Sequence, residues 1–127
     1  MKLFRLFIVI FSLLLVSCSS EITSVSYEQI NAEQARILMS TEKDYVIIDS
    51  RTQEEFDAGH IDGAIMIPEY EIKERAPEML ANKEQLILVY CRSGRRSKIA
   101  AQALVDLGYT NVKEFGGIID WPYETVK

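Results

Sequence analysis

The 127-residue chain has room for one domain and not for two. Its 48% hydrophobic and 26% charged residues are an ordinary globular composition, without a low-complexity run or internal repeat. A net charge of −5 at pH 7 and the lack of a basic stripe argue against nucleic acid as a partner.

Lys2 and Arg5 precede Leu6 to Val16, an almost unbroken apolar run of 11 residues. A membrane span takes about 20 residues, so this run fits the core of a secretory signal peptide instead. It ends in Leu15-Val16-Ser17-Cys18, which resembles the bacterial lipoprotein box. That resemblance implies removal of residues 1–17, lipid on Cys18, and a domain anchored to the bacterial cell envelope, facing the periplasm. An ordinary signal peptide cut near Ser17 is the plainer alternative. Several acyl chains hold a protein durably, whereas one does not. Loss of Lys2 and Arg5 with the leader moves the net charge from −5 to −7. Residues 18–24 are then the lipidated Cys and a short tether, and residues 25–127 the folded domain.

Within that domain, Val25 to Tyr27 is predicted as a first short strand. Asn31 with Gln34 has capping-box spacing, and Ala32, Ala35, Leu38 and Met39 share one face of the helix that follows. Tyr45-Val46-Ile47-Ile48-Asp49 is a continuous apolar run ending in a carboxylate, as suits a parallel strand covered on both faces. Thr52 and Glu55 repeat the capping spacing at a short helix. Gly59 to Gly63 makes a turn, and Ala64 to Ile67 is a third strand stopped by Pro68. Glu69 to Leu80 reads as helical in pieces, with Pro77 opening the second piece. Leu86 to Tyr90 is a buried strand, Ser97 to Leu107 a helix closed by Gly108, and Val112 to Phe115 a last strand. Strands alternating with helices predict an α/β domain with a central, mainly parallel five-stranded sheet flanked by helices.

The chemistry gathers between the fourth strand and the helix after it, in Cys91-Arg92-Ser93-Gly94-Arg95-Arg96-Ser97. A lone Cys after an apolar strand is ordinarily an inert core residue. Three arginines and a glycine in the next five positions are poor company for one. A tight loop here can aim several backbone N–H groups at the sulfur, and the helix adds its positive end at the same place. Gly94 permits the close turn. Amides and guanidinium groups together favour thiolate over thiol, so Cys91 is predicted to be a reactive sulfur in an anion pocket.

This segment resembles the active-site loop of single-domain rhodaneses, often written C-R-S-G-x-R-S. Asp49-Ser50-Arg51, Glu55-Phe56, Gly59 to Ala64, Ile67-Pro68, and Gly116-Gly117 with Trp121 follow the family's pattern in order. Met66 departs from it, standing where many members carry Asn. The resemblance covers Val25 to Tyr123 and implies a rhodanese-like domain with sulfurtransferase activity. In that reading Cys91 is the catalytic nucleophile that becomes a persulfide. Arg92, Ser93, Gly94, Arg95, Arg96 and Ser97 form the substrate-binding loop. Asp49 and Arg51 support it, with Arg96 turning inward to pair with a carboxylate, Asp49 being the candidate. Partners would be a small anionic donor such as thiosulfate and a thiol or cyanide-like acceptor, with a monomer as the default state. The resemblance places His60, the only histidine, in a structural turn.

Rival readings are a persulfide carrier or partner-binding module that does not turn over, and a Cys-dependent phosphatase or arsenate reductase. The last class needs an Arg six positions after the Cys to clamp a tetrahedral oxyanion. Position 97 is Ser, and Arg96 falls one residue short. One Cys and one distant His make no metal-ligand set, and no cofactor is expected. With Cys18 lipidated, Cys91 has no disulfide partner, so either its pocket protects it from oxidation or it rests as a persulfide.

Overall fold

The computed structural model describes residues 26–127; the predicted signal peptide, Cys18 and the tether lie outside the described residues. Five strands form one sheet in the order β1-β5-β4-β2-β3, and all four pairings are parallel. The strands are β1 (Glu28–Gln29), β2 (Tyr45–Asp49), β3 (Ile65–Met66), β4 (Leu86–Cys91) and β5 (Val112–Gly117). Four helices connect and cover them: α1 (Ala32–Thr41), α2 (Gln53–Ala58), α3 (Ile72–Met79) and α4 (Arg95–Asp106). The predicted α/β architecture with a five-stranded parallel sheet is therefore the observed one.

Why β2 and β4 sit in the middle follows from their sequences. Successive strand residues face opposite sides, so an unbroken apolar run needs cover on both. Ile48, Ile87 and Val89 pack with α3 and α4 residues such as Ala76, Ala100 and Leu104 on one face. Ile47, Leu88 and Tyr90 join Ala35, Phe115 and Trp121 on the other. All six β4 residues are buried.

The boundaries differ from the sequence expectation for identifiable reasons. Among the described residues the first strand is the polar pair Glu28–Gln29, which leaves out Tyr27 of the predicted Val25–Tyr27 (Val25 lies outside the described residues), because this edge strand is held by pairing with Lys113 and Glu114 and not by apolar burial. α4 starts at Arg95, two residues before Ser97. Gly94 occupies the cap position at φ 107°, which a residue with a Cβ rarely adopts, and no side chain caps the helix. Pro77 lies inside α3 and does not open a second helix. Its missing N–H is the donor that the Lys73 carbonyl would have met. Tyr109 tethers the end of α3 in compensation, its hydroxyl lying 3.0 Å from the Ala76 carbonyl and 2.7 Å from that of Leu80.

The Asn31 capping box is complete, with Asn31 Oδ1 accepting from Gln34 N–H and Gln34 Oε1 accepting from Asn31 N–H. Thr52 caps α2 by accepting from Glu55 N–H, and its hydroxyl donates to Glu55 Oε1 at 3.2 Å. The same carboxylate also meets Arg96, in the first turn of α4.

Candidate active site

Cys91 is the last residue of β4, and its loop runs over the C-terminal edge of the sheet into α4. In open parallel sheets this edge is where helix N-termini converge and anions bind. The ladder between β4 and β5 shifts register between Val89 and Cys91, bringing Cys91 opposite Gly117. Cys91 is 1% exposed. The Gly94 N–H donates to Cys91 Sγ at 2.9 Å, and Ser97 Oγ stands 3.3 Å from the same sulfur.

Two opposing influences set the state of that sulfur. Burial, the largest single influence, pushes the thiol up. The Ser97 hydroxyl and the amides of Ser97, Gly94 and Ser93 together outweigh it, so the net direction is down, towards thiolate. The groups that lower it most are a hydroxyl and backbone amides, with the Arg96 charge acting in the same direction. Arg92 and Arg95, which the sequence also put forward, are exposed, and neither pairs with a carboxylate among the described residues.

Arg96 does turn to a carboxylate, but to Glu55 and not to Asp49. Its Nη1 and Nη2 donate to Glu55 Oε1 and Oε2 at 2.6 and 2.9 Å. Asp49 is already taken. Arg51 binds it through Nε and Nη2 at 2.7 to 3.1 Å and through its own N–H at 3.0 Å. Tyr90 donates its hydroxyl to Asp49 Oδ2 at 2.7 Å and accepts from Ile61 N–H at 3.1 Å. Ser50 donates N–H and O–H to the Tyr90 carbonyl, one residue before Cys91. This buried network fixes the ends of β2 and β4 against each other. His60 stacks on Phe56 at 3.7 Å and donates from Nδ1 to the Phe56 carbonyl, as a turn residue would.

The Glu55–Arg96 pair carries a pH prediction. The bond from Arg96 holds the Glu55 carboxyl down, from 4.5 to about 2. Because the folded value lies below the unfolded one, the stabilisation is present above pH 4.5 and is lost as pH falls through about 2. The pair keeps contact with solvent, so its worth is about 1 kcal/mol. Unfolding free energies of wild type and Glu55→Gln, extrapolated from urea titrations, should differ by that amount at neutral pH and converge on acidification.

Glycine 117 makes room for the loop. A Cβ built there would lie 2.0 Å from the Arg92 carbonyl oxygen and 2.5 Å from Ser93 N. Its backbone is extended, so space and not φ demands glycine. The Arg92 carbonyl also accepts from Ile119 N–H at 3.2 Å, tying the loop to the turn after β5. A Gly117→Ala variant must displace the peptide that aims its amides at sulfur. Displacements of this size cost about 100-fold in rate, and the loss should appear in Cys91 alkylation while circular dichroism stays native.

Sequence reasoning missed Glu114, which is 2% exposed and contacts Ser97 Oγ at 2.6 Å through Oε1. Period-two alternation from buried Val112 was the available signal, since it turns Glu114 inward and Lys113 outward. A cavity of about 550 Å³ lies elsewhere, lined by residues including Arg36, Tyr45, Asp62, Trp121 and Tyr123. No residue of the Cys91 loop lines it. Cys91 and the amides around its sulfur, and not that cavity, make the candidate site.

Comparison with known proteins agrees with this geometry. The family model described as Rhodanese-like domain matches residues 31–122. The thiosulfate sulfurtransferase PspE of Escherichia coli (strain K12) is 40% identical over 80 residues, covering 63% of this chain and 77% of that protein. The putative sulfur carrier protein YrkF of Bacillus subtilis (strain 168) is 35% identical over 108 residues, or 84% of this chain and 57% of that protein. The solved structure of a rhodanese with anions from E. coli superposes with a TM-score of 0.62 at 38% identity, covering 65% of this chain and 98% of that one.

Proposed function

Because the chain belongs to the rhodanese-like domain family, we propose that it is a sulfurtransferase moving sulfane sulfur from thiosulfate, or a related anionic donor, through a Cys91 persulfide. The observation that carries this reading is a buried sulfur beside inward-facing amides, with its ionisation shifted towards thiolate.

In the first half-reaction the Cys91 thiolate attacks the outer sulfur of thiosulfate. A new S–S bond forms, the old one breaks, and sulfite leaves with the electron pair. The product is a persulfide anion, held by the same amides that held the thiolate. In the second half-reaction a thiolate or cyanide attacks the terminal sulfur, and Cys91 returns as thiolate. No group needs to remove a proton in either step, which leaves His60 without a catalytic duty. Exposed Arg92 and Arg95 meet the dianion at the rim, where the rest of the acidic chain would repel it. Arg96, bound to Glu55, holds the loop.

Covalent transfer in two half-reactions gives ping-pong kinetics. Double-reciprocal plots of thiocyanate formation at several cyanide concentrations should be parallel; intersecting lines would require a ternary complex and refute the persulfide route. A second reading, a persulfide carrier that awaits one protein acceptor, is favoured by the likeness to the sulfur carrier protein. It gives a single burst of sulfur uptake and slow release to cyanide.

The same proposal places the domain as a monomer in the bacterial cell envelope, lipid-anchored through Cys18 and facing the periplasm. Its support is the apolar run ending at Ser17-Cys18. Labelled palmitate should enter the wild-type chain and not a Cys18→Ser variant; equal labelling of both would refute the anchor.

A further inference from the structure

Two carboxylates are buried in the described residues, and only one has a cation. Asp49 is paired with Arg51, whereas Glu114 bonds to the Ser97 hydroxyl and to the Gly116 N–H at 2.8 Å, both through Oε1. A buried carboxylate without a cation is costly unless a proton can reach it. Ser97 leads to one. Its Oγ stands between the two groups, 2.6 Å from Glu114 Oε1 and 3.3 Å from Cys91 Sγ. The Gly94 and Gly116 carbonyls also lie near that hydroxyl, at 3.1 and 3.3 Å, but the carboxylate contact is the shortest.

We propose that Cys91, Ser97 and Glu114 form a buried proton relay, in which Glu114, acting through the Ser97 hydroxyl, takes up the proton that the Cys91 thiol gives away. The inference rests on the reading of Cys91 as the sulfur-accepting nucleophile. The Cys91 S–H bond breaks as its proton passes to Ser97 Oγ, and the Ser97 O–H bond breaks as its proton passes to Glu114 Oε1. Thiol and carboxylate become thiolate and carboxylic acid, and the trio carries one negative charge before and after. In the product, Glu114 donates to Ser97 and Ser97 donates to the thiolate. The relay avoids two adjacent buried anions, and it spares a sulfur that is 1% exposed from losing its proton directly to water. Neither half-reaction consumes a proton, so it stays on Glu114 through the cycle. Glu114 is thus a positioning residue that works from behind the nucleophile.

The other charged groups around the trio are accounted for. On the loop and α4, Arg92, Arg95 and Lys98 are exposed, and Arg96 is bound to Glu55 while close enough to sense the Cys91 charge. On the β1–β5 edge, Lys113 and Glu28 pair with each other. On β2, Asp49 is neutralised by Arg51.

The test is a pH titration of thiolate ultraviolet absorbance without any sulfur donor, using the full chain carrying Cys18→Ser so that Cys91 is the one thiol. Coupled sites titrate in two macroscopic steps. With Glu114 intact, the trio should lose its protons in two steps: thiolate should appear in the first while the infrared carbonyl band of a protonated carboxyl persists, and that band should vanish in the second. Glu114→Gln keeps the shape and abolishes the acid; it should give one step and no such band. Ser97→Ala cuts the connection, so in that variant the carboxyl band should no longer persist through the thiolate step. The infrared band on the intact sequence decides the matter should either variant fail to fold. A single thiolate step with the same midpoint in all three proteins, or a protonated-carboxyl band already absent when the thiolate forms, would overturn the relay. Mass-detected sulfur uptake from thiosulfate by the same proteins keeps the two readings apart: uptake without coupling removes only the relay, and coupling without uptake removes the sulfurtransferase.

Discussion

A Cys91→Ser variant is expected to fold normally and to take up no sulfur from thiosulfate. The substitution exchanges one atom, in a place where Gly94 N–H at 2.9 Å and Ser97 Oγ at 3.3 Å can still bond an oxygen. No cavity larger than the size difference between sulfur and oxygen opens, so the stability change should stay within about 1 kcal/mol. Chemistry fares differently. Amides that bring a thiol towards ionisation at neutral pH leave a far weaker acid such as an alcohol protonated. An alcohol oxygen also cannot become a persulfide. Loss of the nucleophile leaves binding alone, and turnover should fall roughly 1,000-fold or more. The paired readings of thiocyanate formation and thermal midpoint check both halves. Retained activity would show that another group accepts the sulfur.

The largest loss of stability is expected from Asp49→Ala. That side chain is fully buried and receives the Arg51 guanidinium, the Arg51 amide and the Tyr90 hydroxyl. Removing it leaves a cation that is 5% exposed without its counter-charge and the Tyr90 hydroxyl without its acceptor. Arg51 retains a bond to the Gly59 carbonyl at 2.7 Å, which carries no charge. Breaking a buried pair from one side costs about 3–5 kcal/mol. Total stability of about 5–15 kcal/mol makes that a large fraction. Urea unfolding should show the shift in midpoint without a change in slope. The double variant Asp49→Leu with Arg51→Met should recover part of the loss, because it removes the stranded charge. A single-variant loss below about 1 kcal/mol would mean that the network fixing the ends of β2 and β4 contributes little.

These two effects come from residues that differed in how legible they were. β2 and β4 could be read because apolar runs such as Ile47-Ile48 and Leu86 to Tyr90 need cover on both faces wherever they sit. Gly94 and Gly108 could be read because their backbone angles, φ 107° and 95°, belong to glycine. The start of α4 was displaced because Ser97 looks like a cap but turns its hydroxyl into the site, while Gly94 caps without a side chain. The Arg96 partner was misassigned for a related reason. Glu55 has the spacing of a capping residue, and only the tertiary fold shows that its carboxylate, still bonded to the Thr52 hydroxyl, also binds a guanidinium 41 positions away. Glu114 was hidden most completely, because its side-chain partners are Ser97 on α4 and the Gly116 amide two residues along its own strand. The weight placed on three arginines was likewise a matter of composition. The structure credits most of the lowering at Cys91 to a hydroxyl and to amides, whose directions no residue type encodes.

The central claim is that this loop keeps the Cys91 sulfur ionised and ready to accept another sulfur. Intact mass of the protein after exposure to thiosulfate, with peptide mapping to Cys91, tests it most directly. The expected result is a gain of one sulfur atom on Cys91, released as thiocyanate when cyanide is added. An unchanged mass with native circular dichroism, or a sulfur that maps away from Cys91, would contradict it.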